Sequence, residues 1–334
     1  MKAIILSAGK GTRMKSDILK VAHAVAGRPI VSYVLDTVSD LNPDNIYMIV
    51  GHQADLLMDK IKHSFHGDLK KISYVMQKKQ LGTGHAVKQA VPYLKKDPED
   101  IVLVLAGDCP LIEKETLKNL IDIHKESNAS ATILSAKLTD PASYGRILRE
   151  KMGTVTGIRE AKDCSVEERK ITEINTGVYV FRCSDLLTSL KLIKTENIQH
   201  EYYLTDVIHI LKQAGKVIAA YCTDNSNQAI GINTRMDLAK INKLIYQKNN
   251  IKLMENGVTI KDPDNTFIDS TVKIGNDTII YPFSIIQGNT RIGKHCQIGP
   301  HCFVLNGSIK AESVVDPFTK IIGSPGSNKE PAKD

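Results

Sequence analysis

From residue 268 an apolar β-branched residue returns at every sixth position: Ile268, Ile274, Ile280, Ile286, Ile292, Ile298 and Val304. Four places after each stands a small or β-branched residue: Val272, Thr278, Ser284, Thr290, Cys296, Cys302 and Ser308. Glycine follows the apolar residue at Gly275, Gly293 and Gly299. A step of six matches neither the 3.6-residue period of a helix nor the two-residue period of a flat strand. It is the hexapeptide repeat of a parallel β-helix. Three hexads make one triangular coil, so seven predict a little over two coils within residues 256–322.

Residues 1–232 obey other periods. Lys2–Ser7, Asn45–Val50, Ile72–Met76 and Ile101–Leu105 read as short apolar strands. Ile30–Leu41, Gln53–Phe65, Thr83–Leu94 and Glu115–Lys125 have helical spacing. This strand–helix alternation predicts an α/β domain with a parallel sheet covered on both faces. Its ligands are expected beyond the carboxyl ends of the strands, in the loops after Leu6, Met76 and Leu105. Beyond about Ala129 the pattern is less regular, with strands at Val178–Phe181 and Val217–Tyr221. Met236–Met254 reads as an amphipathic, lysine-rich connecting helix. The boundaries are therefore placed at 1–232, 233–255 and 256–322, with a Ser-, Pro- and Lys-containing tail at 323–334 expected to be disordered.

The six cysteines form no C-x-x-C pair and read as reduced, buried thiols. The first apolar run is too short for a signal peptide, and no stretch reaches the roughly 20 apolar residues of a membrane span. These features predict a cytoplasmic protein with no membrane partner. A net charge of +7 without an RNA-binding motif argues against a nucleic-acid partner. It suits substrates that carry phosphate, and equally the plain need for solubility.

The first strand runs into L-S-A-G-K-G-T-R-M-K-S-D-I-L-K-V-A-H, residues 6–23. Gly9 and Gly11 would let the backbone approach a phosphate, and Arg13 and Lys20 place two cations on the same loop. The segment is not the dinucleotide fingerprint, because Met14 replaces the third glycine, and it lacks the Gly-Lys-Ser/Thr of a P-loop. His63 with His66, and His295-Cys296 with His301-Cys302, are spaced like metal ligands. Packing explains the two cysteines, which fall on the small positions of their hexads.

Further segments follow in a fixed order: Q-K-K-Q-L-G-T-G-H-A-V at 77–87, L-A-G-D-C-P-L-I at 105–112 and Y-G-R-I at 144–147. Then come G-I-R-E-A-K-D at 157–163, E-I-N-T-G at 173–177, E-Y-Y-L-T-D at 201–206 and G-I-N-T-R at 231–235. Together with the first loop they resemble the sugar-1-phosphate nucleotidyltransferases, in particular N-acetylglucosamine-1-phosphate uridylyltransferases of the GlmU type. The resemblance runs from residue 1 to about residue 315. It implies a Rossmann-like domain with a mixed, mostly parallel sheet, followed by a short left-handed β-helix.

The implied reaction joins UTP and N-acetylglucosamine 1-phosphate into UDP-N-acetylglucosamine and pyrophosphate. By the same resemblance, Arg13 and Lys20 are catalytic, and Leu6, Ala8, Gly9, Gly11, Gln77, Gly82 and Thr83 bind the nucleotide. Gly145, Glu160, Asn175, Tyr203 and Thr205 surround the sugar, and Asp108 and Asn233 hold Mg²⁺. β-helices of this kind commonly support trimers, so a homotrimer is the oligomer the resemblance implies. The acetyltransferase segments of the longer family members are missing from this sequence, so no acetyltransfer is expected. Three positions depart from the family pattern: Leu19 where proline is common, Ala22 for a usual leucine, and Ala106 where an aromatic residue is frequent. The alternatives are the same chemistry on another sugar 1-phosphate or nucleotide, and a non-catalytic regulatory homologue.

Overall fold

The computed structural model describes residues 1–95, 99–141 and 143–324; most of the tail expected at 323–334 lies outside the described residues. The chain divides into two compact units, one of residues 1–22 and 30–233, the other of residues 23–29 with everything from Thr234 onward. The sequence boundaries placed 23–29 in the first domain. After β1 (Lys2–Leu6) and its loop, however, the chain forms a hairpin of β2 (Ala24–Val25) and β3 (Arg28–Pro29) that groups with the second unit. There the Ala26 N–H donates to Asn242 Oδ1 at 2.8 Å, and Ser270 N–H donates to the Ala26 carbonyl at 3.1 Å.

In the first unit β1 is an interior strand of a nine-stranded sheet. It pairs in parallel with β4 (Asn45–Val50) on one side and β6 (Ile101–Ala106) on the other, and β5 (Ile72–Met76) continues beyond β4 in parallel. Past β6 the sheet is mixed. β7 (Ala131–Lys137) lies beyond β10 (Glu173–Arg182), which is antiparallel to both β6 and β7. The hairpin of β8 (Arg146–Arg149) and β9 (Val155–Arg159) joins β10, and β11 (Ile218–Thr223) pairs in parallel with β7. The run I-V-L-V-L-A of β6 is apolar throughout because both faces of the sheet are covered.

On one face Ile5 and Leu103 pack with Val34 of α1 (Ile30–Ser39), Leu57 of α2 (Ala54–Ser64) and Leu120 of α4 (Lys114–Glu126), the fourth helix in chain order. On the other face Ile4 and Val104 pack with Val87 of α3 (Thr83–Leu94), Leu186 of α5 (Cys183–Leu190) and Ile208 of α6 (Asp206–Gln213). The chain leaves β1 for β4 on one side and later returns to β6 on the other. Such a switch in strand order opens a crevice at the carboxyl ends of the strands.

The second unit begins with α7 (Arg235–Glu255), started by a capping box in which Asp237 N–H donates to Thr234 Oγ1 and Thr234 N–H to Asp237 Oδ2. Three parallel sheets follow. The first stacks Thr259–Ile260, Ile279–Ile280, Gln297–Ile298 and Val314–Val315. The second stacks Phe267–Ile268, Ile285–Gln287, Phe303–Leu305 and Lys320–Ile322. The third stacks Lys273–Ile274, Arg291–Ile292 and Ser308–Ile309.

The sheets correct the sequence reading of a little over two coils: the ladder holds three rungs on one face and four on each of the others. Strict hexad spacing hides the rungs at both ends. Ile260 pairs with Ile280, and past Val304 the registers are Ile292 with Ile309, Ile298 with Val315 and Val304 with Ile321. Those last three are one residue shorter than a coil of three hexads. The shortening falls between Val304 and Ile309, so Ser308 is exposed and Gly307 takes the buried place the hexad pattern assigned to it. The other small positions are inward as expected. The hydroxyls of Thr278 and Ser284 donate to the Gly293 and Gly299 carbonyls of the next coil, at 2.8 and 3.0 Å.

Candidate active site

Two carboxyl-terminal strand ends create the centre of the site. β1 ends at Leu6 and its loop carries Arg13 and Lys20; β6 ends at Ala106, and Asp108 follows two residues on. Lys20 Nζ contacts Asp108 Oδ2 and lies 3.1 Å from Asn233 Oδ1. Arg13 Nη2 donates to the same Asn233 oxygen at 3.0 Å, and Arg13 Nη1 reaches Ser143 Oγ at 3.3 Å. Asn233 is held in place by the extended segment before it, since Ile232 N–H donates to the Asp108 carbonyl at 3.0 Å and Gly231 N–H to the Tyr144 hydroxyl at 3.1 Å. Four residues from distant parts of the sequence thus converge, two cations on two side-chain oxygens.

Beside this cluster lies a cavity of 530 Å³. Leu6, Ala8, Gly9, Gly11, Lys20, Gln77, Gly82, Thr83 and Asp108 line it, together with Ser7, Lys10, Gln80, Ala106 and Glu201. The glycines serve different ends. Gly11 has φ +64°, and a Cβ there would stand 2.5 Å from Lys20 Cβ, so the loop can fold onto its own lysine only with glycine at this point. A Cβ on Gly9 would meet no protein atom within 4 Å. The protein does not need glycine there for packing; the bare backbone faces open space. Gln77 is 3% exposed, and its Nε2 donates to the Gly82 carbonyl at 3.2 Å. Gly82 has φ +106° and stands immediately before α3.

The residues expected around the sugar form a second group. Thr205 Oγ1 donates to Glu160 Oε1 at 3.0 Å, and Asn175 N–H donates to the Gly145 carbonyl at 2.9 Å. A Cβ on Gly145 would lie 3.5 Å from Glu160 Oε2. Burial raises the Glu160 carboxyl above its ordinary range, and the neighbouring Asp163, Asp206 and Glu201 add to this; the Thr205 hydroxyl opposes it. Asn175 spends its side chain inside the protein: Nδ2 donates to the Tyr179 hydroxyl at 2.6 Å, and Oδ1 accepts from Gly177 N–H at 3.2 Å. Tyr203 is buried. The segment 201–205 is bound to the cavity wall, with Gly84 N–H donating to the Tyr202 carbonyl at 2.8 Å and Leu204 N–H to Thr83 Oγ1 at 3.0 Å.

Sequence reasoning missed Ser143, the polar partner of Arg13, and the anchoring hydroxyl of Tyr144. Only the Y-G-R-I segment hinted at the second. The three departures from the family pattern have local settings. Leu19 is 5% exposed in the sheet core, and its N–H, which proline would lack, donates to Gln53 Oε1 at 3.2 Å. Ala22 is buried in the same core, and Ala106 lines the cavity. All six cysteines are free thiols. Among the described residues there is no group of three or more His, Cys, Asp or Glu that could hold a metal, and no helix is long and apolar enough to cross a membrane.

The nucleotidyl transferase family matches residues 2–252, and the bacterial transferase hexapeptide family, described by six repeats, matches residues 271–306. The bifunctional protein GlmU of Syntrophomonas wolfei is 42% identical over 316 residues, covering 95% of this chain and 69% of that protein. That of Enterococcus faecalis is 46% identical over 313 residues, covering 94% and 67%. That of Latilactobacillus sakei is 45% identical over 308 residues, covering 92% and 65%. The chain thus spans about two thirds of the length of the curated relatives it matches. With the loop, the aspartate and the hexapeptide coils all in place, the chain belongs to the nucleotidyl transferase family, among the GlmU-type transferases.

Proposed function

We propose that the chain transfers the uridylyl group of UTP to N-acetylglucosamine 1-phosphate, releasing pyrophosphate. The observation that carries this reading is the convergence of Arg13, Lys20, Asp108 and Asn233 at the mouth of a cavity walled by the glycine-rich loop. The base would lie against Gln77, Gly82 and Thr83, and the phosphates along the Gly9–Gly11 backbone. The sugar would meet Glu160, Thr205, Asn175, Gly145 and Tyr203.

The donor set fits Mg²⁺. Asp108 Oδ2 and Asn233 Oδ1 both touch one ammonium, so two hard oxygens already converge on a positive charge. Mg²⁺ keeps several waters and takes one or two protein ligands beside substrate phosphates. When bound it would neutralise phosphate charge. The protein's own residues do the rest. A phosphate oxygen of the sugar phosphate attacks the α-phosphorus, and the bond to the β-phosphate breaks with its electron pair leaving on pyrophosphate. The attacking oxygen is already anionic, so no general base is needed. The task is to hold two anions in line and to offset their repulsion. Arg13 and Lys20 release Asn233 and Asp108 and turn to the phosphates.

A second reading keeps the chemistry and changes the sugar phosphate, because small Ala106 enlarges the cavity wall. Pyrophosphate release measured over a panel of triphosphates and sugar 1-phosphates separates the two. Release with UTP and N-acetylglucosamine 1-phosphate above all other pairs supports the first reading. Release with no pair would sink both and favour a non-catalytic subunit. The hexapeptide unit is proposed to assemble the chain as a homotrimer, which sedimentation equilibrium tests.

A further inference from the structure

The stretch between buried Met14 and buried Leu19 is exposed at Lys15, Asp17 and Ile18, yet it sets where Lys20 emerges. One side chain from another element spans it. Gln53 Nε2 donates to the Asp17 carbonyl at 2.8 Å, and Gln53 Oε1 accepts from Leu19 N–H at 3.2 Å. A single carboxamide therefore closes on the backbone at two points, two residues apart, directly before the lysine. Gln53 follows β4, the parallel neighbour of β1, so the clamp links the carboxyl ends of adjacent strands.

The local structure is arranged for this reach. Helical spacing predicts a helix beginning at Gln53, but the helix starts at Ala54. Gln53 takes a left-handed conformation with φ +61°, and its side chain makes no cap bond to its own helix. That conformation costs energy for a residue other than glycine. It aims the side chain back at the loop, where both ends of the amide are used. On the far side, Leu19 is anchored in the core and its carbonyl accepts from Ala22 N–H at 2.9 Å, which starts the short helical turn Lys20–Ala22. The backbone on both sides of the lysine is thereby fixed, and Nζ falls between Asp108 and Asn233.

We infer that Gln53 is a positioning residue for the transfer reaction. It touches no reacting group; its amide clamps Asp17 and Leu19, and so holds Lys20 at the working distance from the phosphates. The inference rests on the proposed role of Lys20.

The test is Gln53→Met, which keeps the length of the side chain and removes both bonds. Its kcat for pyrophosphate release is expected to fall about tenfold, as for the loss of one to two neutral hydrogen bonds. KM for either substrate should change less than threefold and the melting temperature should hold. Amide exchange in the peptide covering residues 15–22 should quicken. Lys20→Ala and the double variant complete a cycle, in which adding Gln53→Met to Lys20→Ala is expected to cost no further activity. Wild-type kcat in Gln53→Met, or an equal loss with and without Lys20, overturns the inference. If Gln53→Met proves unstable, Gln53→Glu is read instead: it keeps the acceptor for Leu19 and loses the donor to Asp17, and an intermediate loss is expected. Unchanged exchange at 15–22 refutes the clamp whatever the activity. Absence of pyrophosphate release in the wild type refutes only the proposed function.

Discussion

The ammonium of Lys20 and the carboxylate of Asp108 form an ion pair although 88 residues separate them. The pair exists because β1 and β6 are parallel neighbours whose exits face one crevice. Asp108→Asn removes the anion that a metal would need and leaves Lys20 with neutral amide oxygens only at these two positions. Turnover is expected to fall on the order of 10²-fold, and the Mg²⁺ dependence to weaken with it. Pyrophosphate release measured across a Mg²⁺ titration checks this; an unchanged titration removes Asp108 from the site.

Arg13 spans a wider gap, from Asn233 Oδ1 on one guanidinium nitrogen to Ser143 Oγ on the other. That fork can move to a phosphate without rebuilding the loop. Arg13→Ala is expected to lower kcat by roughly 10²-fold or more, as for loss of one transition-state donor. Arg13→Lys should recover only part of it, because an ammonium keeps the charge but lacks the rigid planar fork that presents two parallel N–H donors to a phosphate. Near-normal turnover in the alanine variant would remove Arg13 from the chemistry.

Much of this was legible in the sequence. Strands running into Leu6, Met76 and Leu105 announced themselves by short apolar runs, and an α/β sheet places its ligands where such runs end. The hexads from Ile268 to Val304 were equally plain. What was hidden was non-local or out of phase. Ile321 and Val315 continue the coils at the same step, but one lost corner residue before Ile309 puts them out of phase with the hexads from Ile268 to Val304. The grouping of residues 23–29 with the C-terminal unit depends on Asn242 and Ser270, more than 200 residues away. Gln53 offered only a polar residue at a helix start. Leu19 carried no reason until its N–H was found on Gln53.

Glu160 carries a cost in stability. Burial first, and the carboxylates of Asp163, Asp206 and Glu201 second, raise its carboxyl above the unfolded value. An acid whose folded pKa is raised binds more protons in the native state, so it favours folding below the unfolded pKa, and that benefit is lost as pH rises through the folded pKa. Glu160→Gln keeps an acceptor for Thr205 and cannot ionise. Its melting temperature is expected to match or exceed that of the wild type at pH 7.5, with a flatter decline above pH 4.5. The KM for the sugar phosphate should rise. Melting curves at pH 4.5 and 7.5 beside KM measurements test both; a variant less stable than wild type at pH 7.5 contradicts the sign.

Gly9 and Gly82 separate a glycine kept for a ligand from one kept for the backbone. Gly82 sits at φ +106°, and a Cβ there would meet the Tyr202 carbonyl oxygen at 2.5 Å. Gly82→Ala is therefore expected to destabilise the fold by about 2 kcal/mol or more, seen as a drop of roughly 5 °C in Tm. A Cβ on Gly9 meets nothing within 4 Å, and its φ is not positive, so Gly9→Ala should leave Tm unchanged. The added methyl would project where a phosphate must approach the bare N–H groups. Its KM for UTP is expected to rise about tenfold, the cost of losing roughly one good hydrogen bond to a charged group. Equal KM in Gly9→Ala and wild type would mean that the triphosphate passes elsewhere, and the cavity wall between Leu6 and Gly11 would lose its assignment.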